Sequence, residues 1–190
     1  FIALNTGLAS GALDIILPEE NKSIEELFAE IEKGASNKKT SNIVIISEGN
    51  KLGGSFDIAK KLKEKGESFD LIISSPANRA LSTAEYFADE FDYDHALIEE
   101  AHSMYHSDHG TLLTIIDNMP DNFNKILVFG HNPGFTNLAN VLTGETLGNI
   151  PTCGIIKIDF EVNSWSEVIP GIGTMQFFDY PKRYKEMQLI

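Results

Sequence analysis

Positive charge is what this 190-residue chain has least of. Fifteen Lys and Arg stand against 28 Asp and Glu, a formal net charge of -13. That balance excludes nucleic acid and an anionic membrane surface as partners, because both are held through clustered Lys and Arg. Arginine is scarcer still, with Arg79 and Arg183 alone. An anionic ligand must therefore be held by a local positive site against the overall field. No apolar run approaches the ~20 residues of a membrane-spanning helix, so no membrane role is expected. The single cysteine, Cys153, excludes an internal disulfide and fits a reducing, cytoplasmic compartment. An alternative location, secreted or periplasmic, follows if "FIALNTGLASGA" (1–12) is the remnant of a signal peptide, since an apolar run there gives way to small residues. The rest is ordinary: 42% hydrophobic and 23% charged residues suit a globular core.

The pattern along the chain alternates strand and helix. "ALDIIL" (12–17) reads as a strand. The helix "NKSIEELFAEIEKG" follows, opened by a Ser23/Glu26 capping box. A polar linker, "ASNKKTS", closes an N-terminal extension of residues 1–41. The main domain, 42–190, starts with the strand "NIVIIS" (42–47), the helix "SFDIAKKLKEKG" ended by Gly66, and the strand "FDLIIS" (69–74). The helix "ANRALSTAEYFADEF", a short strand "ALI" (96–98), the helix "TLLTIIDNM", the strand "KILVFG" and the helix "FTNLANVL" come next. After Pro151, "CGIIKIDF", "SEVI" and "TMQFF" read as strands of an antiparallel ending. The expected fold class is α/β, a three-layer α/β/α arrangement with a mostly parallel central sheet, packed with the extension as one globular unit.

In an open parallel sheet, ligands bind at the carboxyl ends of the strands. Three predicted strands run into polar turns there: "IVIIS-EGN", "LIIS-SPANR" and "ILVFG-HNPG". The second puts Ser75 and Pro76 in the turn and Arg79 in the first turn of a helix, whose free N–H groups and dipole attract anions. A guanidinium adds a planar fork of donors that matches a phosphate. The third puts His131 between Gly130 and Asn132-Pro133-Gly134. An Arg and a His converging on one anion pocket outline phosphoryl chemistry by fixed donors.

At these residues a resemblance appears. "DLIISSPANRALSTAE" and "ILVFGHNPGFTNLANVLTG" resemble two motifs of the histidine phosphatase superfamily, and "IPTCGIIKIDF", Trp165 and "FFDYP" resemble its small phosphohistidine phosphatase branch. The likeness covers about residues 42–181. It implies a phosphoglycerate mutase-like α/β/α fold, Arg79 as a phosphate-binding arginine and His131 as the second active-site histidine, with Asn132 beside it at the phosphate. The flanking glycines would let backbone and imidazole close on that phosphate.

The resemblance also implies an Arg-His motif at the end of the first strand, its His the nucleophile. Here Ser47 stands at the Arg position and Glu48 at the degenerate nucleophile position. A carboxylate there opposes a phosphate: two unit charges about 4 Å apart repel by ~1 kcal/mol in water and ~4 kcal/mol at an effective dielectric of 20. The loop "EEAHSMYHSDHG" matches a variable active-site loop and offers Glu100, with Glu99, His102, His106, Asp108 and His109, as a general acid, replacement nucleophile or metal ligand. "GNKLGGS" (49–55) imitates a phosphate-binding P-loop but has Ser55 where the lysine belongs. Neither a cofactor nor a metal is expected. The expected function is that of a phosphohistidine phosphatase-like protein, a phosphoric monoester hydrolase by family, acting on or binding a phosphorylated protein or small phosphate ester with impaired catalysis. The alternative is a non-catalytic phospho-ligand or protein-binding module on the same fold.

Overall fold

The computed structural model describes residues 41–47, 54–64 and 66–180. All of them lie in one compact unit, Lys39–Ile190. The expected strand and helix at 12–33, and Glu48, fall outside the described residues.

The sequence "SNIVIIS" is a run of branched apolar residues without alternation, as expected of a strand covered on both faces. It forms β1 (Ser41–Ser47), followed by α1 (Gly54–Glu64), β2 (Leu71–Ser74), α2 (Asn78–Glu90), β3 (Glu99–Glu100) and α3 (His109–Asp117). Then come β4 (Lys125–Gly130), α4 (Gly134–Thr143), β5 (Ile155–Phe160) and β6 (Thr174–Asp179). The six strands form one sheet in the order β3-β2-β4-β1-β5-β6. The pairs β3/β2, β2/β4 and β4/β1 are parallel, whereas β5 runs antiparallel to both β1 and β6.

The pleat divides the core into two layers. Ile43 and Ile45 of β1 point to one face with Leu71, Ile73, Ile126 and Val128, under Leu112 and Ile116 of α3 and Phe135, Leu138 and Leu142 of α4. Val44 and Ile46 point to the other with Ile72, Leu127 and Phe129, under Ala59 and Leu62 of α1 and Ala80, Ala84 and Phe87 of α2. Helices therefore cover both faces, the three-layer α/β/α arrangement. The small residues Ala80, Ala84 and Ala88 let α2 approach the sheet closely, and Phe87 fills the remaining space edge-on to Phe129, with ring centroids 5.1 Å apart. Gly66 ends α1 with φ +76°, and the bonds Gly66 N–H to Lys63 O and Glu67 N–H to Leu62 O close the last turn.

Two expected strands are short 3-10 turns instead. His95–Leu97 is one, because the Asp94 side chain accepts from the Ala96 N–H and offers the backbone a local partner in place of a ladder. The strand at this edge is Glu99–Glu100. Trp165–Glu167 is the other. Ser164 caps it, and the buried Trp165 indole donates to the Phe123 carbonyl at 2.8 Å, fixing the segment as a plug rather than a strand.

Candidate functional site

Parallel pairing sets the three strand ends side by side. Ser47 is in register with Gly130, and Ser74 with Phe129. The Ser75 N–H donates to the Phe129 carbonyl at 2.9 Å, so the turn after β2 is tied to the end of β4. This brings the fully buried Ser75 under His131, and Ser75 Oγ lies 2.9 Å from His131 Nε2. The Ala77 N–H also reaches Ser75 Oγ at 3.4 Å. Beyond it α2 begins with no side-chain cap, leaving the N-terminal end of its dipole facing the same space.

A cleft of about 470 Å³ opens above this turn, lined by Pro76, Ala77, Asn78, Arg79, Tyr105, His106, His131 and Asn132. Arg79 and His131 thus share one cleft, with Arg79 exposed in the first turn of α2 and His131 half-buried at the end of β4. Asn132 reaches the cleft wall while its side chain is engaged elsewhere. Its Oδ1 accepts from the Thr136 N–H at 3.2 Å and Thr136 Oγ1 at 2.8 Å, and its Nδ2 donates to the Ile150 carbonyl and to Asn149 Oδ1. It clamps the start of α4 to the loop before β5. The peptide bond Asn132–Pro133 is cis.

The glycines on either side of the His131 turn stand where a side chain would collide with the fold. A Cβ on Gly130 would lie 2.7 Å from the Phe135 ring, and one on Gly134 would lie 2.4 Å from the Ser107 carbonyl oxygen. These contacts dock α4 and the loop after β3 against the His131 turn. Glu100 sits exposed on the edge strand β3, in register with Ser74, and does not line the cleft. Of its loop, His106 and Tyr105 do, whereas Asp108 is the N-cap of α3, its side chain accepting from the Thr111 N–H at 2.8 Å. That hydrogen bond holds the Asp108 carboxyl below its ordinary range. His102 and His109 are exposed, and among the described residues no three His, Cys, Asp or Glu side chains are grouped to hold a metal. No helix among the described residues is long and apolar enough to cross a membrane.

The chain resembles one family in sequence and another in fold. The phosphofructokinase family model matches residues 1–119. Over that stretch the chain belongs to the phosphofructokinase family. Two ATP-dependent 6-phosphofructokinases are 44% identical over 73 residues (Streptococcus sanguinis) and 45% identical over 65 residues (Coxiella burnetii). These alignments cover 38% and 34% of this chain, which spans only about a fifth of the length of either relative, 21% and 20%. The solved structures point to a different fold family. The protein histidine phosphatase SixA complexed with tungstate superposes with a TM-score of 0.63 at 20% identity, over 75% of this chain and 99% of its own. A putative phosphohistidine phosphatase SixA from Agrobacterium tumefaciens gives 0.60 at 19% identity, over 74% and 98%. A phosphoglycerate mutase from Plasmodium falciparum gives 0.55 at 17%, over 73% and 89%. The fold is that of the histidine phosphatases and phosphoglycerate mutases.

The histidine phosphatase motifs do not point to the phosphofructokinase match. It includes residues 1–40, for which those motifs gave no counterpart, and it includes β1, the strand whose end lacks the Arg-His pair. The signal lies in the run 1–119, which includes "GNKLGGS" (49–55). Ser75 was also missed as a partner of His131. The two serines of "IISSPANR" look alike in sequence, and only the register of β2 against β4 selects the second.

Proposed function

We propose that the cleft at Arg79 and His131 holds the phosphoryl group of a phosphorylated protein or small phosphate ester, in the manner of a phosphohistidine phosphatase with impaired turnover. The observation that carries this is the shared cleft: a guanidinium, an imidazole fixed by Ser75 and the uncapped start of α2 face one volume large enough for a phosphate and its substituent. Impairment follows from the end of β1, where Ser47-Glu48 replaces the nucleophile motif that the resemblance calls for. The donors stabilise a phosphate, but no histidine at that turn attacks it. Asn132 supports the site by holding the His131 turn, and its remaining capacity to meet a phosphate is small because its amide is already engaged. The chain is a main domain starting near residue 42 with an N-terminal extension.

Calorimetric titration of inorganic phosphate into the wild type and Arg79→Ala tests the reading. Loss of a charged hydrogen bond lowers affinity by roughly 1.5–3 kcal/mol. Equal affinity in the two proteins rejects Arg79 as a ligand. Hydrolysis of p-nitrophenyl phosphate stays near background in the wild type, and Ser47→Arg with Glu48→His raises it by about tenfold, ~1.4 kcal/mol of barrier. Robust wild-type turnover rejects the impairment.

A second reading rests on the phosphofructokinase match, which favours a phosphorylated sugar over a phosphoprotein as the ligand. Titration with a phosphorylated hexose and with a phosphohistidine peptide separates the two.

A further inference from the structure

One wall of the cleft is built of rings that neither reading uses. Tyr105 is 56% exposed and meets His106 edge-on, with ring centroids 4.4 Å apart. Both stand over His131: the Tyr105 centroid is 6.3 Å from that of His131, and the His106 ring lies 6.4 Å away, tilted by only 24° from its plane. An exposed tyrosine on a surface loop is usually mobile, but this loop is anchored at four points. Met104 is buried, 2% exposed, and plugs the core beneath it. Ser107 Oγ donates to the Met104 carbonyl at 3.1 Å. The Ser107 carbonyl presses on Gly134, where any side chain would collide. Asp108 caps α3 immediately afterwards. His106 itself is held at φ +52°, a left-handed conformation that costs a non-glycine residue energy, and it lines the cleft.

We propose that Tyr105 and His106 form a recognition wall for a planar aromatic group carried by the phosphate, so that the site prefers aryl and heteroaryl phosphates to alkyl phosphates. This rests on the phosphate-site reading and names the substrate class for it. A phosphoryl group at Arg79 and His131 directs its substituent toward the wall, because Tyr105 and His106 border the same cleft. Offset or edge-to-face contact with a ring supplies the difference, and an alkyl chain of the same charge cannot make it. Preformed rings lose little freedom on binding, so the contact energy is kept.

The test is calorimetric titration of the full chain with phenyl phosphate, ethyl phosphate and inorganic phosphate. Phenyl phosphate binds threefold to tenfold tighter than ethyl phosphate, the range one aromatic contact supplies. The ratio falls toward one in Tyr105→Ala and in His106→Asn, the latter chosen because asparagine tolerates the left-handed backbone. Tyr105→Phe keeps the ratio, which separates loss of the ring from collapse of the loop. Equal affinities for the phenyl and ethyl esters in the wild type overturn the proposal while inorganic phosphate still binds. So does a ratio that survives in both Tyr105→Ala and His106→Asn. Failure of all three probes to bind instead overturns the phosphate site, and the wall with it.

Discussion

Ser75 Oγ lies 2.9 Å from His131 Nε2 across 56 residues of sequence, and the pairing is enforced from below by the Ser75 N–H on the Phe129 carbonyl. The hydroxyl fixes the ring orientation of the histidine and assigns one of its nitrogens to the protein.

Ser75→Ala therefore acts on His131. Stability falls by about 1 kcal/mol, the net worth of one partly buried hydrogen bond. Urea unfolding measures this. The nitrogen-15 shifts of the imidazole change with it, because Nε2 loses its hydrogen-bond partner. Unchanged shifts would show that Ser75 does not hold the ring.

Gly134→Ala places a methyl 2.4 Å from the Ser107 carbonyl, a backbone atom that cannot swing aside. Overpacking of this kind costs about 1–3 kcal/mol. Amide shifts should move most at Tyr105, His106 and Ser107, where the loop is pushed off α4. A variant as stable as the wild type, with those shifts unmoved, would mean the loop does not rest there.

Asn132→Ala releases the clamp between α4 and the loop before β5. The Ile150 carbonyl and the Thr136 N–H and hydroxyl lose their shared partner. At about 1 kcal/mol for each lost bond, the cost is about 2–3 kcal/mol. For a chain of this size that lowers Tm by about 5–10 °C, read by calorimetry. Asn132→Asp keeps the acceptor for Thr136 but not the donor for Ile150 and should fall between the two.

Asp159 on β5 faces Asn42 on β1, and neither Oδ1 has a hydrogen-bond partner among the described residues. Burial pushes the Asp159 carboxyl above its ordinary range, with Glu67 adding to the rise and Lys157 opposing it. The folded state then keeps this proton at a pH where the unfolded chain has lost it. Stability declines as pH rises from the ordinary carboxylate value through the raised one and stays lower above it. Asp159→Asn removes that decline, so its advantage in urea midpoint over the wild type grows with pH across the window. Parallel pH profiles for the two proteins would contradict the assignment.

Much of the fold was legible because its strands are unbroken apolar runs and its helices carry small or apolar residues at helical spacing. β1, β2 and β4 show as apolar runs that end in polar turns, and the antiparallel ending shows as short strands joined by turns after Pro151. The errors at 96–98 and 166–169 share one cause. Each is a short apolar stretch beside a residue that caps locally, Asp94 or Ser164, and three residues carry too little periodicity to outweigh a cap. The cleft itself was half legible. Arg79 and His131 are marked by turn chemistry, and His106 is one of several candidates in its loop, but the pairing of Ser75 with His131 and the choice of Tyr105 and His106 over Glu100 follow from strand register and the Ser107–Gly134 contact, neither of which leaves a mark in local sequence.

β1 lies between β4 and β5, with a ladder on each side. A central strand is selected for branched apolar side chains and for little else, so a stretch shared with phosphofructokinases can serve as the keystone of a phosphatase-like sheet. The turn after it obeys a stricter rule, because chemistry needs particular residues there. Architecture and chemistry therefore make separate demands at Ser47: the first is met by any strand of the right texture, and the second depends on which residues follow it. The same position makes the strand indispensable. A fragment beginning at Gly66 would bare the edges of both β4 and β5, two unpaired rows of backbone donors and acceptors, and should aggregate rather than fold.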